Sequence, residues 1–153
     1  MNTWFSQVDV TGRREASHSL FVPTGADVLI VEDDPNVRDT IEDLLVDEGH
    51  TVSTARNGAE ALVALSHLAR PALILLDLWM PVMDGLAFLS ALRARKDRDD
   101  FEVVVMSAAV APEWFAGAPG VVKALKKPFD VEEIPSLATE FFLRRSSPRA
   151  SPT

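Results

Sequence analysis

The chain has 153 residues, of which 47% are hydrophobic and 25% charged, a composition ordinary for one globular domain. It has no cysteine, which excludes disulfides, thiolate metal sites and cysteine nucleophiles, and no apolar run approaches the roughly 20 residues that a membrane span needs. The formal net charge is −8, and the 21 acidic against 10 basic side chains of residues 27–143 argue against direct nucleic-acid binding, which needs a basic face.

The first part of the chain predicts a strand, a helix and a second strand. A short apolar run at 28–32 is typical of a strand. Asp34 followed by Pro35 predicts the N-cap and the first position of a helix, and Gly49 predicts its end. The alternating, less apolar segment 51–55 predicts the second strand.

The rest of the chain continues this alternation. Asn57 and Glu60 have capping-box spacing and predict the start of the second helix. Further strands are predicted at 72–77, 101–108 and 121–126, and further helices at 84–95, around 111–117 and at 130–145. Asp84 reads as a structural residue at the start of the third helix. Pro135 lies beyond the first turn of the last helix, so we expect that helix to kink or to start late.

Strands that alternate with helices predict an α/β fold with a doubly wound, five-stranded parallel sheet and helices on both faces. We expect the flavodoxin-like strand order 2-1-3-4-5. In such open sheets the site lies beyond the carboxyl ends of the strands. The polar residues at those ends are Glu32, Asp33, Asp77, Ser107 and Lys127. We therefore expect the chemistry of the protein at these five positions.

Three carboxylates cannot all stay ionised in a small crevice without a cation. No histidine or cysteine lies at the strand ends, so the predicted ion is oxygen-loving, Mg²⁺ or alternatively Mn²⁺, and its preference for phosphate oxygens indicates phosphoryl chemistry. In this interpretation Asp77 is the nucleophile that forms an aspartyl phosphate, Asp33 and Asp77 bind the metal directly, and Glu32 orients a bound water. The phosphoryl oxygens are held by the Lys127 ammonium, the Ser107 hydroxyl and the Ala108 backbone amide.

Each of these residues also has an ordinary structural interpretation. Glu32 and Asp33 fit a solvated turn, Asp77 fits a loop cap, and Lys127 fits a surface lysine. Lys126 adjoins Lys127, which leaves the position of the reactive lysine open by one residue. The occurrence of the whole set in this order favours the functional interpretation.

Four segments together resemble the receiver domain of two-component response regulators: LIVEDDP (29–35), LILLDLWMPVMDG (73–85), VVVMSA (103–108) and KKPF (126–129). The resemblance covers residues 27–143. It implies that a phosphohistidine of a partner histidine kinase donates to Asp77, and that the backbone carbonyl of Trp79 completes the metal site. It also implies a cis bond between Lys127 and Pro128, and it favours Lys127 over Lys126.

Two positions depart from the family pattern. The family's switch couples movement of the hydroxyl residue, here Ser107, to an aromatic side chain on the fifth strand, where this chain has Ala124. We therefore expect the switch to work by rearranging residues 108–122. Trp79 is unusually bulky, and we expect it to overhang the phosphate and restrict the attacking water.

The sequence as a whole is interpreted as a stand-alone, chemotaxis-regulator-like receiver at 27–143. It would have a loosely ordered N-terminal extension at 1–26 and a basic disordered tail at 144–153. The expected partners are a histidine kinase or phosphotransfer protein and a downstream protein target, with no membrane insertion. We expect a cytoplasmic monomer or phosphorylation-dependent dimer that assists its own phosphorylation and dephosphorylation without being a metabolic enzyme.

Two alternatives are weighed against this interpretation. A phosphate-independent docking module would keep the fold without the chemistry, and the intact acidic set argues against it. An aspartate-nucleophile phosphatase or mutase usually has a second acid two residues after the nucleophile, where this chain has Trp79, and a cap domain besides. The histidines are scattered away from the strand ends and are interpreted as surface residues: His18, His50 and His67.

Overall fold

In the computed structural model, which describes residues 25–108, Phe115 and 118–146, five strands form a parallel sheet. The strands are β1 (Ala26–Val31), β2 (Val52–Ala55), β3 (Leu68–Asp77), β4 (Phe101–Ser107) and β5 (Val121–Lys126). The α-helices are α1 (Pro35–Asp47), α2 (Gly58–Ala64), α3 (Gly85–Arg93) and α4 (Glu133–Ser146). Single turns of 3-10 helix lie at Leu65–His67 and Arg98–Asp100. None of the described helices is both long and apolar enough to cross a membrane.

The strand order is β2-β1-β3-β4-β5, which confirms the predicted order. Strand β3 is central and pairs in parallel with β1 and β4, so that Leu75 lies opposite Ile30 on one side and Val104 on the other. All three residues are buried. Their continuous apolar runs fit strands that are covered on both faces.

The helices cover both faces of the sheet, as predicted. Because side chains alternate along a strand, Leu73 and Leu75 of β3 join one apolar cluster and Ile74 and Leu76 join the other. The first cluster includes buried residues of α1 and α4, and the second includes those of α2 and α3 together with Phe115. The core thus consists of two apolar layers separated by the sheet.

Three short polar side chains cap helices at the predicted places. Asp34, Asn57 and Asp84 accept hydrogen bonds from the first-turn amides of α1, α2 and α3. The Asp84 cap confirms its structural role. The predicted capping box is only half formed, because the Glu60 carboxylate accepts from the Arg56 amide at 2.9 Å instead of returning to Asn57. The salt bridge between Arg56 and Glu60 explains this preference.

Several predicted boundaries differ from the structure. Strand β3 begins four residues earlier than predicted, because Leu68 pairs with Ala26 of β1. Helix α4 does start late, at Glu133. Pro135 then occupies its third position, where the missing N–H removes no bond within the helix.

Helix α4 continues to Ser146, so residues 144–146, which were assigned to the predicted tail, are helical. Arg144 and Arg145 both bind the Glu102 carboxylate, at 2.8 and 3.3 Å, and hold this end of the helix against β4. Apart from Phe115, the residues of the predicted helix around 111–117 lie outside the described part of the chain. So do residues 1–24 and 147–153.

One histidine is not the surface residue that was predicted. The His50 side chain is only 14% exposed; it lies 3.9 Å from the Asp27 carboxylate and its ring centroid is 5.2 Å from that of Phe142. Packing of α4 against the end of α1 explains its burial. His67 is exposed, as predicted, and His18 lies outside the described residues.

We expect Gly85→Ala to destabilise the protein by about 1–3 kcal/mol, the usual cost of overpacking a filled site. A Cβ at Gly85 would collide with the Asp77 carbonyl oxygen and lie 2.7 Å from the Leu78 Cα, because the start of α3 packs directly against the end of β3. Urea unfolding measures the change. Ser90→Ala, at an exposed position of α3, is the control and should stay within about 0.5 kcal/mol of the parent. Equal stability of both variants would contradict this close packing.

Candidate functional site

Four strand ends bring their polar residues together at one edge of the sheet. Glu32 follows β1, Asp77 ends β3, Ser107 ends β4 and Lys127 follows β5. Since these strands are neighbours and parallel, their carboxyl ends lie side by side. Glu32, Asp77 and Ser107 are 1%, 5% and 0% exposed, whereas Asp33 is exposed at the mouth of the crevice.

Three carboxylates converge closely at this edge. One oxygen each from Glu32, Asp33 and Asp77 lies within 4.8 Å of the other two, and among the described residues no other such group of potential metal ligands is found. The donors are all carboxylate oxygens. This donor set fits a hard divalent cation, and it lacks the nitrogen or sulfur ligands that zinc prefers.

A lysine completes the cluster. The Lys127 Nζ lies 2.7 Å from Glu32 Oε2 and 3.4 Å from Asp77 Oδ2. Lys126 is exposed at the end of β5, and of these two lysines it is Lys127 that contacts the carboxylates. The Lys127 backbone N–H donates to the Ser107 carbonyl at 2.9 Å, and the Lys127–Pro128 peptide bond is cis, as the family resemblance implied.

Negative charge is in excess within the cluster, since three carboxylates face one ammonium. Burial raises the pKa of the Glu32 carboxyl, the Asp77 charge raises it further, and the hydrogen bond from Lys127 offsets only part of this. Burial alone would lower the pKa of Lys127, but its bond to Glu32 and the charges of Asp77 and Glu32 outweigh burial and raise it. A cation bound at the carboxylates would counteract both shifts, because its charge would lower the pKa of Glu32 and that of Lys127.

Backbone groups and one further side chain hold the carboxylates in place. Asp77 Oδ1 accepts from the Trp79 N–H at 3.2 Å, and Glu32 Oε1 accepts from the Asp34 N–H at 3.2 Å. Arg38, in the first turn of α1, donates to the Glu32 carbonyl at 2.9 Å. Arg38 was not predicted as a site residue; its position just after the acidic residues at the end of β1 was the signal available in the sequence.

The remaining predicted residues lie around this cluster. Ala108 is exposed just beyond Ser107, and Trp79, two residues after Asp77, is 58% exposed. Ala124 lies on β5 opposite Val105 of β4, where it packs against the apolar layer that contains α2 and α3. Ala124 precedes Lys127 by three residues, which places it roughly 10 Å along the strand from the residue that contacts the carboxylates.

Comparisons with known proteins point to one family. The family model of the response regulator receiver domain matches residues 28–139. Transcriptional regulatory protein PrrA of Mycobacterium tuberculosis is 38% identical over 130 residues, which are 84% of this chain and 54% of PrrA, so the chain spans about half the length of that relative.

Solved structures give the same result. A CheY-like receiver domain from Methanospirillum hungatei has a TM-score of 0.67 at 31% identity, covering 78% of this chain and 97% of that one. TrrA from Thermotoga maritima, solved in complex with Mg(2+)-BeF, has a TM-score of 0.60 at 26% identity, covering 74% and 96%.

Removal of the Asp77 charge is expected to lower the pKa of Glu32 in metal-free buffer, because that charge helps to raise it. NMR titration of the Glu32 carboxyl in Asp77→Asn measures the effect. Asp39→Asn, at an exposed position of α1, is the control. Since the folded-state pKa is raised, stability from protonated Glu32 is present below the unfolded-state pKa and is lost as the pH rises through the folded-state pKa. This pH-dependent loss of stability should be smaller in Asp77→Asn. An unchanged pKa of Glu32 in that variant would contradict the proposed influence of the Asp77 charge.

Proposed function

The chain belongs to the response regulator receiver domain family, and we propose that it is a switch phosphorylated on Asp77 by a partner histidine kinase or phosphotransfer protein. The observation that carries the proposal is the convergence of Asp77 with Glu32, Asp33 and Lys127 at the carboxyl edge of the sheet. The related PrrA is a transcriptional regulatory protein, which also favours signalling over the phosphatase alternative.

The transfer step follows from the position of the Asp77 carboxylate. One of its oxygens attacks the phosphorus of a phosphohistidine on the partner, and a P–O bond forms. The P–N bond breaks, and its electron pair returns to the imidazole, which is released. The Trp79 N–H donates to Asp77 Oδ1 at 3.2 Å, and the proposed attacking oxygen is Oδ2, which faces the Lys127 ammonium at 3.4 Å.

A Mg²⁺ ion, or Mn²⁺ in its place, fits the three carboxylates. Asp33 and Asp77 would hold it directly, Glu32 through a water and Trp79 through its backbone carbonyl. When bound, the ion neutralises charge on the phosphoryl oxygens. The excess negative charge of the cluster supports this assignment, and the related TrrA has been solved with Mg(2+)-BeF.

The product carries about −1.5 to −2 extra charge, and this chain supplies groups to hold it. The Lys127 ammonium, 3.4 Å from Asp77 Oδ2, is within reach of a phosphoryl oxygen attached there. The Ser107 hydroxyl and the Ala108 backbone amide take the other oxygens. Lys127 would then leave Glu32 for the phosphate, because the phosphate carries the larger charge.

Output would pass through the segment that follows Ser107. Ala124 has no ring to move, so the proposed switch is a rearrangement of residues 108–122 toward a downstream protein. Residues 109–114, 116 and 117 lie outside the described part of the chain. Action as a stand-alone receiver, the oligomeric state and the cytoplasmic location stay predictions.

Incubation with Mg²⁺ and acetyl phosphate is expected to add one phosphoryl group, seen by intact mass. Asp77→Asn should take up none, and Asp39→Asn should behave as the parent. The two neighbouring lysines give a matched pair: Lys127→Ala should phosphorylate at least about tenfold more slowly, because it loses a charge directed at the phosphoryl group, and Lys126→Ala should not. Phosphorylation of Asp77→Asn, or equal rates for the two lysine variants, would contradict the proposed roles.

Trp79→Ala is expected to speed loss of phosphate several-fold. Trp79 follows Asp77 by two residues and is 58% exposed, and the proposed role of its ring is to stand between solvent and the acyl phosphate that water must attack. Decay of the phosphorylated protein, followed by intact mass after removal of the donor, measures the rate. Leu86→Ala removes another exposed apolar side chain, 53% exposed on α3, and should leave the rate unchanged. An unaltered decay in Trp79→Ala would exclude this shielding.

A further inference from the structure

A cavity of about 510 Å³ lies at the amino edge of the sheet, opposite the carboxylate cluster. It is bordered by the end of α3, the start of β4, Pro119 with Gly120, and the end of α4. Strand β4 runs from the cavity at Phe101 to the cluster at Ser107, which separates the two by roughly 20 Å at the usual rise of a strand. The cavity is therefore distinct from the proposed phosphorylation site, and we call it the basic groove.

The basic groove is positively charged in a molecule that is negative overall. Its charged lining residues are Arg93, Arg98, Arg144, Arg145, Asp99 and Glu102. Four guanidinium groups against two carboxylates give a net charge of +2, whereas the whole chain carries −8. A cavity whose lining has a net charge of one sign concentrates ligands of the opposite sign.

The arginines are only partly neutralised by the protein. Arg144 and Arg145 share the single carboxylate of Glu102. Arg98 donates to the Arg95 carbonyl at 3.3 Å, and among the described residues it forms no ion pair within 4.0 Å. The guanidinium groups at the rim of the groove can therefore donate further hydrogen bonds to an anion.

Arg93 provides the most specific signal. Its Nε is buried and has no hydrogen-bond partner among the described residues. A buried N–H without an acceptor is costly, and a charged one more so. An anion bound to the part of the Arg93 guanidinium that lines the groove would offset the cost of burying its charge.

Apolar side chains form the floor between these charges. Leu92, Phe101 and Val103 are buried there, and the volume lies in the range of pockets for small organic ligands. We propose that the basic groove binds a small organic anion, with a phosphate or carboxylate on the arginines and an apolar or ring-shaped body against the floor. This proposal does not depend on phosphorylation of Asp77.

Binding is tested with AMP as the anionic probe, adenosine as its uncharged counterpart and inorganic phosphate as the anion without a body. The ¹⁵N-labelled full chain is titrated in low-salt buffer with EDTA, which keeps metal from bridging AMP to the carboxylate cluster. AMP is expected to shift amide signals around Arg93, Arg98 and Val103. Adenosine and phosphate should each bind at least about tenfold more weakly, because adenosine lacks the anionic group and phosphate lacks the apolar body.

Two arginine variants and one control locate the site. Arg93→Gln and Arg98→Gln should each weaken AMP binding about tenfold, the effect of losing one hydrogen bond to a charged group. Arg98 is exposed, so its variant stays informative if Arg93→Gln folds poorly. Arg56→Gln removes an exposed arginine of α2's entry loop and should bind as the parent. All three should still accept phosphate on Asp77.

Several results would overturn the proposal. They are the absence of AMP-induced shifts at 10-fold molar excess and above, equal binding of AMP and adenosine, and retention of binding in both groove variants. Shifts at the carboxylate cluster alone would overturn it too. Groove signals that move with protein concentration and not with AMP would assign the groove to contact between copies of the chain.

Discussion

The crowding of three carboxylates around one ammonium at the end of a buried sheet is the constraint on which the rest of the structure depends. Such a group is unstable in isolation, so neighbouring elements are arranged to hold it. The central strands β1 and β3 deliver Glu32 and Asp77, and β5 brings Lys127 across the intervening β4. Backbone amides and Arg38 fix the loop that follows β1. The remaining excess of negative charge makes the cluster receptive to a cation and, with it, to a phosphoryl group.

The two edges of the sheet have opposite electrostatic character. The carboxyl edge holds the acidic cluster, and the amino edge holds the basic groove around Arg93. Strand β4 touches both, with Glu102 anchoring the end of α4 and Ser107 contacting Lys127. Strand β4 therefore borders both charged sites.

Sequence reasoning succeeded where the cause is local. The caps Asp34, Asn57 and Asp84 were predicted because each side chain binds an amide two or three residues away. The sheet was predicted because apolar runs and helical periodicity recur along the chain. Predictions failed where partners are distant: pairing with β1 extends β3, and packing against Phe142 of α4 buries His50.

The sequence by itself determined the strands and helices, the polar residues that end each strand, and hence the candidate site, because burial patterns and strand ends are properties of short segments. The tertiary structure decided which side chains meet. It distinguished Lys127 from Lys126, since packing of β5 on β4 leaves Lys126 in solvent and turns Lys127 toward Glu32. It also placed arginines from α3 and α4 around one groove. Such contacts join residues far apart in the chain, and only the packing of whole elements sets their distances.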